Sequence, residues 1–339
     1  MGDLRIGLIG CGAIGEDHAV RIQHKLQRAQ ITAVSDVKRE SAEKVAKRCN
    51  AKVVDTASEI IADPEIDAIV VTAWDPAHKE LVLECIKHQK FVFCEKPLAT
   101  EASGAGEIVE AEMKAGKRLV QVGFMRRYDK GYRQMKELLV NGEIGSPLLV
   151  HCAHRNVASG QGVTEDFMIT QTCIHEIDLT KWLIDDDYES VQCIVGRPSK
   201  EAPKELRDPQ MAIIKTKKGV TIDIEIFLNC RFGYDIQCQV VGESGTVNLP
   251  DPSYPAIRKN AFGGTPLCTD WSVRFIDAYD VELQEWIDNT HQGIVKGPNS
   301  WDGYLAALTA DSLIRSRNEG GAEIQLNTPV RPTFYEDES

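Results

Sequence analysis

The stretch LRIGLIGCGAIG (Leu4–Gly15) decides how the first part of the chain folds. Its apolar run predicts a buried strand, and Gly10, Gly12 and Gly15 end that run in G-x-G-x-x-G spacing. The first glycine permits a tight turn, the second lets the backbone approach a pyrophosphate, and the third lets helix and strand pack closely. The stretch therefore predicts a dinucleotide site at the N-terminus of a helix, whose free N–H groups bind phosphate.

An acidic residue lies at the end of the second predicted strand, Ile31–Val37. Asp36 comes 21 residues after Gly15, at the place where a carboxylate accepts hydrogen bonds from the ribose hydroxyls of NAD. The same carboxylate would repel the 2′-phosphate of NADP, so the sequence favours NAD. Lys38 and Arg39 follow closely and leave weak use of NADP open.

Strand and helix patterns alternate along the first 124 residues, as they do in a parallel sheet wound with helices. The strands are predicted from continuous apolar runs, which are typical of strands buried on both faces: Leu4–Gly10, Ile31–Val37, Ala68–Ala73, Phe91–Lys96 and Leu119–Phe124. We therefore predict an α/β Rossmann domain over residues 1–124.

The pattern changes after Phe124. Strand runs follow one another through short links such as KKG (217–219) and GESG (242–245), which predict hairpins. Two helices are predicted near the end of the chain, at Tyr279–Gln292 and Trp301–Arg317. Residues 125–339 are therefore predicted to form an α+β domain with a large, mainly antiparallel open sheet.

The composition argues against several classes of function. With a net charge of −12, the chain lacks the basic face that a nucleic acid would need. No apolar run approaches the ~20 residues of a membrane span. The N-terminus goes straight into a strand pattern without a signal peptide, so we expect a cytoplasmic protein. The ten cysteines form no CxxC pair, which predicts small buried thiols rather than disulfides or zinc ligands.

The segment FCEKPLA (93–99) places a lysine at the carboxyl end of a predicted strand, the edge at which α/β sheets bind ligands. The ammonium group of Lys96 could hold a substrate oxygen there and stabilise charge as a carbonyl or alkoxide forms. A solvated lysine at a strand end is the alternative, and it would be the better one if Lys96 stood alone.

The segment ITQTCIHEIDL (169–179) carries a histidine on a predicted helix. Gln171 and His175 are four residues apart and share one helical face, and Asp178 could orient the histidine or cap a solvated face. Histidine, with a reference pKa of ~6.5, can take a hydroxyl proton near neutral pH. A satisfied core residue is the alternative. The segment lacks the second histidine of a zinc-protease helix, and no metal site is predicted.

The chain resembles the glucose–fructose oxidoreductase / inositol dehydrogenase / MocA family over nearly its whole length. The motifs that carry this resemblance are GCGAIG, SDV, TAWDPAH, CEKPLA, VGFMRRYD and HEIDLTKWL. Within that family, HCAHRN, GYDIQC, LPDP, AYDVE and WDGY look most like bacterial inositol dehydrogenases. The resemblance implies an NAD(P)-dependent oxidoreductase. It also implies that the C-terminal sheet domain binds the substrate and forms the contacts of a homotetramer.

The resemblance further implies roles for single residues. Lys96 would position the substrate oxygen and His175 would be the general base, with Gln171 beside it. Besides the glycines and Asp36, the cofactor would contact Ala13, Ile14, Val37, Thr72, Ala73, Trp74, His78, Glu95 and Lys96. The substrate would contact Lys96, Arg126, Arg127, His154, Asn156, Gln171, His175, Tyr234 and Tyr279. The alternative for the two arginines is an ion pair with Asp129.

One position departs from the pattern of the family. Relatives usually carry an aspartate four residues before the histidine, where this chain has Gln171. An aspartate would stabilise the imidazolium and raise the pKa of the histidine, whereas an amide can only orient the ring or bind a hydroxyl. Either a different inositol stereoisomer is recognised, or catalysis is weaker than in a relative with the carboxylate.

The expected function is therefore NAD-dependent oxidation of a hydroxyl of myo- or scyllo-inositol to the inosose. A sugar dehydrogenase acting on the C1 hydroxyl of a pyranose is the alternative within the same class, since both rings present similar hydroxyls. A non-catalytic NAD-binding regulator is the alternative from another class. The presence of both Lys96 and His175 argues against it.

Overall fold

The computed structural model describes residues 2–336, and this part of the chain divides into two compact units. The first comprises the chain up to Phe124, Tyr279–Ala307 and the stretch from Pro329, and the second comprises Met125–Ala278 and Leu308–Thr328. The predicted boundary after Phe124 coincides with a division between the units. A single second domain over residues 125–339 does not match this division, because the chain returns to the first unit twice.

The first unit contains a parallel sheet, which confirms the predicted Rossmann fold. Its strands are β1 (Leu4–Ile9), β2 (Ala29–Ser35), β3 (Lys52–Val53), β4 (Ala68–Val71), β5 (Phe91–Glu95) and β6 (Val120–Gly123). They lie in the order β3-β2-β1-β4-β5-β6, and every neighbouring pair is parallel. The order reverses between β1 and β4, which is where such sheets bind ligands at their carboxyl ends.

The helices that accompany this sheet are amphipathic. They are α1 (Ala13–His24), α2 (Arg39–Cys49), α3 (Ala57–Ala62), α4 (His78–Lys87) and α5 (Ala102–Ala115). In α2, for example, Ala42, Val45, Ala46 and Cys49 are buried at helical spacing, and the remaining positions are mostly charged. The residue that caps the helix is Asn50, whose backbone is left-handed and whose N–H donates to the carbonyl of Ala46.

The second unit is built on a mainly antiparallel sheet, as predicted. The strands that follow β6 along the chain are β7 (Pro147–Arg155), β8 (Tyr188–Val195), β9 (Gln210–Thr216), β10 (Thr221–Phe227), β11 (Asp235–Gly242), β12 (Thr246–Asn248), β13 (Ile257–Lys259), β14 (Phe262–Gly264) and β15 (Ile324–Gln325). The sheet has the order β12-β11-β7-β10-β9-β8-β15, and only β7 and β10 are parallel neighbours within it, while β13 and β14 pair separately. The segments KKG and GESG link antiparallel neighbours, so both predicted hairpins are confirmed.

Burial in β10 shows how this sheet uses its two faces. Ile222, Ile224 and Ile226 are fully buried, whereas Asp223 and Glu225 between them are half-exposed. The alternation means that one face packs on a core and the other is polar.

The helices that follow α5 along the chain are α6 (Lys130–Val140), α7 (Glu165–Phe167), α8 (Ile174–Ile184), α9 (Trp271–Arg274), α10 (Ile276–His291) and α11 (Ser300–Asn318).

The helical run before His175 is not regular. Met168–Cys173 is a π-helix that lies between α7 and α8. The prediction of one regular α-helix through Gln171 and His175 is therefore wrong: Gln171 lies in the π-helical segment, and His175 lies in the first turn of α8. A π-helix bonds residue i to residue i+5 and often occurs at functional sites. Hydrophobic periodicity does not distinguish it from an α-helix over so few residues.

Candidate functional site

In the first unit, the turn after β1 is pressed against the end of β4. Gly10 has φ +98°, and a Cβ added there would lie 2.4 Å from the backbone N of Ala73 and 2.5 Å from the carbonyl of Thr72. The hydroxyl of Thr72 donates to the Gly10 carbonyl at 2.7 Å. Only glycine fits this position, because a side chain would meet backbone atoms that cannot move independently.

The other two glycines have different surroundings. A Cβ at Gly15 would lie 2.1 Å from the Gly10 carbonyl oxygen, so α1 can start this close to β1 only without a side chain. A Cβ at Gly12 would meet nothing within 4 Å. The backbone before Ala13 and Ile14, at the N-terminus of α1, thus faces open space to which a pyrophosphate can come close. The residues present fit a dinucleotide.

Asp36 is held in one orientation beside this turn. One of its carboxylate oxygens accepts from the backbone N–H of Cys11 at 2.6 Å, and the other accepts from that of Lys38 at 2.7 Å. The position suits the ribose of a dinucleotide, and a contact of Asp36 with the ribose stays a prediction. Val37 and Trp74 are largely exposed, and contacts of their side chains with a cofactor stay predictions.

His78 joins two segments that were both assigned to the cofactor. One ring nitrogen lies 2.7 Å from the carbonyl oxygen of Pro97 and the other lies 2.9 Å from that of Ala73. The ring is 1% exposed. In this structure His78 therefore fixes the position of the loop after β4 relative to the segment that carries Lys96, and direct contact with the cofactor stays a prediction.

Glu95 is buried at the end of β5, next to the half-buried Lys96. Its carboxylate accepts from the ring of His18 at 2.8 Å and from the backbone N–H of Lys96 at 3.2 Å. Burial alone would raise the pKa of Glu95, but the hydrogen bond from His18 and the charge of Lys96 lower it below its ordinary value. Glu95 is thus a carboxylate, and His18 is a partner that the sequence analysis missed.

In the second unit, three of the predicted substrate contacts lie together. The ring of His154 is 6.1 Å from that of His175 and 5.9 Å from that of Tyr234, measured between centroids. All three side chains are nearly buried. Burial raises the pKa of Tyr234 to about 12, so its hydroxyl stays a hydrogen-bond donor over the physiological range.

Arg126 is engaged by a carboxylate beside this group. It forms a fully buried ion pair with Glu176, and it also lies 3.0 Å from Nδ1 of His154. Glu176 in turn contacts the same Nδ1 at 3.0 Å. Burial would raise the pKa of Glu176, but the charges of Arg126 and His154 outweigh it and lower the pKa. Sequence reasoning missed Glu176, and the feature that could have indicated it is a carboxylate between apolar positions of a predicted helix.

Arg127 and Asp129 also have partners other than those considered. Arg127 donates to Asp178 through Nε at 2.8 Å, and its Nη2 makes a second contact to the same carboxylate. Asp129 is paired with Arg274 at 2.7 Å. The alternative of an ion pair between the arginines and Asp129 is therefore wrong. Asp178 is buried and paired with Arg127, so it does not cap a solvated face. Substrate contacts of the two arginines stay predictions.

Three further predicted contacts are placed separately. Asn156 is half-buried directly after β7, and Gln171 is half-buried in the π-helical segment. Tyr279 belongs to the first unit, where its ring packs 5.3 Å from that of His18. Their roles in binding substrate stay predictions.

All ten cysteines are buried and free, which confirms the expectation of buried thiols. Within residues 2–336, no three histidine, cysteine or acidic side chains are grouped as metal ligands. In the same range, no helix is both long and apolar enough to cross a membrane.

Comparison with known proteins places the chain in a family. Two sequence models of the glucose–fructose oxidoreductase / inositol dehydrogenase / MocA family match it. The first, "oxidoreductase family, NAD-binding Rossmann fold", matches residues 4–124. The model of the same family described as "oxidoreductase family, C-terminal alpha/beta domain" matches residues 136–326. The chain belongs to this family. It is an NAD-dependent oxidoreductase, in agreement with the glycine turn and Asp36.

Individual relatives narrow the resemblance. Over 334 residues, the chain is 51% identical to an inositol 2-dehydrogenase of Serratia proteamaculans and 49% identical to one of Acidiphilium cryptum, covering 98% of this chain and 99% of each relative. Among solved structures, it resembles a myo-inositol dehydrogenase of Lactobacillus casei in complex with NAD(H) and myo-inositol. That structure has a TM-score of 0.96 and 40% identity, over 98% of this chain and 100% of the relative.

The difference between Gly12 and Gly15 yields a paired prediction. Gly12→Val fills the open space before α1, so it should weaken NAD binding at least tenfold while leaving the thermal midpoint of the cofactor-free protein unchanged. Gly15→Ala forces a methyl group against the Gly10 carbonyl, so it should lower that midpoint. Calorimetric titration with NAD and a thermal melt measure both effects. Equal NAD affinity in the Gly12 variant and the native protein would contradict this assignment.

The buried pair of Arg126 and Glu176 yields a prediction for stability and pH. Glu176→Gln leaves the arginine charge buried without its counter-charge and should lower the free energy of unfolding by about 3–5 kcal/mol at pH 7. Because the pKa of Glu176 is lowered by folding, its stabilisation is present above its unfolded pKa of ~4.3 and is lost as pH falls through the folded value.

Urea unfolding of both proteins as a function of pH measures this difference. The difference in free energy of unfolding between the native protein and Glu176→Gln should be constant from pH 7 to about pH 4.5 and should become smaller only below that range. Exposed Glu201→Gln is the control, since its pair with Arg231 is exposed and should contribute little. A gap that already closes between pH 7 and 5 would contradict the lowered pKa.

Proposed function

We propose that this enzyme oxidises the hydroxyl at ring carbon 2 of inositol to the corresponding inosose, as the name of its inositol 2-dehydrogenase relatives implies. The observation that carries the proposal is 51% identity to an inositol 2-dehydrogenase over 98% of the chain. The resemblance to a solved relative with NAD(H) and myo-inositol, at 40% identity, supports myo-inositol as the substrate. Scyllo-inositol dehydrogenases of Lactobacillus casei are only 20–21% identical, and they support the fold alone.

The proposed general base is His175. Its side chain is nearly buried in the first turn of α8, and its neighbours His154 and Tyr234 are groups that can bind hydroxyls. An imidazole in such surroundings can take the hydroxyl proton of an alcohol as the C–H bond breaks. The buried charges of Arg126 and Glu176 beside His154 hold that ring in place and so limit the orientations a substrate can adopt.

The proposed role of Lys96 is to hold the oxygen that is oxidised. Its ammonium group, at the carboxyl end of β5, would stabilise the charge that builds on that oxygen as the proton leaves. Bound NAD, held by the glycine turn and Asp36, supplies the hydride acceptor. The chain itself then has to provide only the base, the positive charge and the orientation of the ring.

Gln171 is proposed to bind a substrate hydroxyl through its amide. It is half-buried in the wider turn that precedes His175, where an amide can donate and accept at once. An amide adds no charge to stabilise an imidazolium, so we expect the apparent pKa of His175 to be lower here than in a variant with aspartate at this position.

We also propose a cytoplasmic homotetramer. Ten free buried thiols suit a reducing compartment. The exposed residues on the polar face of the second unit's sheet include Leu149, Ile194 and Met211, and a contact between copies would cover such side chains.

The proposal is tested by NAD reduction with myo-inositol, scyllo-inositol, other inositol isomers and pyranoses. The native protein should prefer myo-inositol, and His175→Asn should lower kcat by about 10²–10⁴-fold with little change in NAD binding. Gln171→Asp should move the acidic limb of the pH profile upward or change the order of preferred isomers.

Three outcomes would each contradict a part of this account. Turnover of pyranoses alone would favour a sugar dehydrogenase. Absence of turnover with every polyol, in protein that binds NAD, would favour a regulator. A Gln171→Asp variant identical to the native enzyme in rate, pH profile and isomer preference would exclude the role proposed for the amide.

A further inference from the structure

A buried chain of polar contacts in the first unit leads from α1 to the backbone of Lys96. It runs from Arg21 through His18 to Glu95 and ends at the N–H of Lys96. Arg21 and His18 have no role in the cofactor site or in the chemistry described above, and Glu95 is so far assigned only a predicted contact with the cofactor. His18 is 0% exposed and Glu95 is 6% exposed, so solvent cannot replace either partner if the other is lost.

The direction of the hydrogen bonds follows from the partners. The ionised carboxylate of Glu95 only accepts, so the ring nitrogen Nε2 of His18, 2.8 Å away, must carry the proton. The guanidinium of Arg21 only donates, and it faces the other ring nitrogen, Nδ1, at 3.5 Å. Both contacts therefore agree on a ring that donates to Glu95. The carboxylate of Asp17 lies 4.0 Å from the same Nδ1 and is itself paired with Arg21.

Packing leaves the His18 ring no alternative orientation. Phe93 of β5 meets it edge-on at 5.8 Å between centroids, and Tyr279 of α10 lies on another side at 5.3 Å. Arg21 covers the Tyr279 ring at 5.3 Å and donates to Asp280 at 2.7 Å. The ring is thus fixed by α1, β5 and α10 together.

The carboxylate of Glu95 is confined as closely as the ring. A Cβ added to Gly123, in the neighbouring strand β6, would lie 3.1–3.2 Å from its carboxyl atoms, so the glycine leaves room for it. One carboxylate oxygen faces His18, and the other accepts from the backbone of Lys96. A carboxylate with both oxygens engaged in this way cannot turn without breaking one of the two bonds.

We propose that His18 is a positioning residue for Lys96, acting through Glu95. The hydrogen bond from His18 fixes the carboxylate, the carboxylate fixes the backbone from which the lysine side chain extends, and its negative charge favours the ammonium form of that lysine. The inference rests on the proposed role of Lys96. It adds that α1, whose N-terminus faces the space that a pyrophosphate would occupy, also orients the group that would hold the substrate oxygen.

Three variants and a matched control test the proposal in the full-length enzyme. His18→Leu removes the donor at similar size, His18→Gln keeps an N–H near the position of Nε2, and Glu95→Gln removes the charge. Glu112→Gln is the control, because Glu112 is also a buried carboxylate of this unit that accepts backbone N–H groups, from Leu119 at 2.5 Å and Val120 at 2.8 Å.

In steady-state kinetics, His18→Leu and Glu95→Gln should lower kcat about 10–100-fold, the size expected when a supporting residue is lost. The NAD dissociation constant of His18→Leu should change by less than about threefold, and His18→Gln should recover most of kcat, because it restores the donor. Glu112→Gln should keep the native kcat at whatever cost in thermal stability. Equal losses in His18→Gln and His18→Leu, or a loss in Glu112→Gln matching that in Glu95→Gln, would overturn the proposal.

A second readout does not depend on turnover. The rate at which an acylating reagent labels Lys96, followed by peptide mass spectrometry across pH, reports the pKa of its amine. Loss of the neighbouring carboxylate in Glu95→Gln should lower that pKa and raise labelling at neutral pH, relative to both the native protein and Glu112→Gln. Unchanged labelling of Lys96 in Glu95→Gln would overturn the claim that the carboxylate of Glu95 favours the ammonium form of Lys96.

The two readouts separate this inference from the proposed function. If the native enzyme oxidises no inositol, the proposed function fails, and the labelling still decides whether Glu95 controls Lys96. If the native enzyme is active and the His18 and Glu95 variants match it in kcat and labelling, only the positioning role fails.

Discussion

The close approach of the turn after β1 to the end of β4 is the constraint on which the first unit depends. Gly10 lies against the backbone of Thr72 and Ala73, and Gly15 lies against the carbonyl of Gly10. No side chain fits at either place, so the sequence has no freedom there. Because of this approach α1 starts immediately beside the sheet, with its N-terminus at the carboxyl edge where the order of strands reverses.

Several functional features follow from the position of that one helix. Its N-terminus faces the space that a pyrophosphate would occupy, and Asp36 is oriented beside it by the N–H of Cys11 in the same turn. One turn further on, His18 reaches Glu95 at the end of β5. The cofactor site and the backbone of Lys96 are therefore fixed by the same element, which explains why a buried histidine and a buried carboxylate occur where apolar residues would pack as well.

The second unit uses buried charge in a comparable way. Arg126 and Glu176 are almost completely buried, and both contact His154. Such a pair contributes little net stability compared with apolar packing, yet loss of one partner is costly. Its value in this enzyme is to fix a ring that is expected to meet substrate. The π-helical segment before His175 places Gln171 on a wider turn than that of an α-helix. The four-residue spacing between Gln171 and His175 therefore does not predict how the Gln171 side chain is oriented.

The sequence allowed those features to be predicted that arise from local patterns. The glycine spacing, the acid after the second strand, the apolar runs of the parallel sheet and the hairpins at KKG and GESG all depend on residues that are close in the chain. The partners of His18, Arg126 and Arg127 could not be predicted, because 77, 50 and 51 residues separate the members of these pairs. The return of Tyr279–Ala307 to the first unit escaped prediction for the same reason, since an amphipathic helix does not indicate which core it covers.

The most direct test of the account is transfer of deuterium from myo-inositol labelled at carbon 2. The enzyme is incubated with NAD and the labelled substrate, and the reduced cofactor is examined by mass spectrometry. The account predicts that one deuterium appears in NADH, with a slower rate than for unlabelled substrate where hydride transfer limits turnover. NADH that carries no deuterium, although it forms from this substrate, would show that another carbon is oxidised. No NADH at all would contradict the proposed activity.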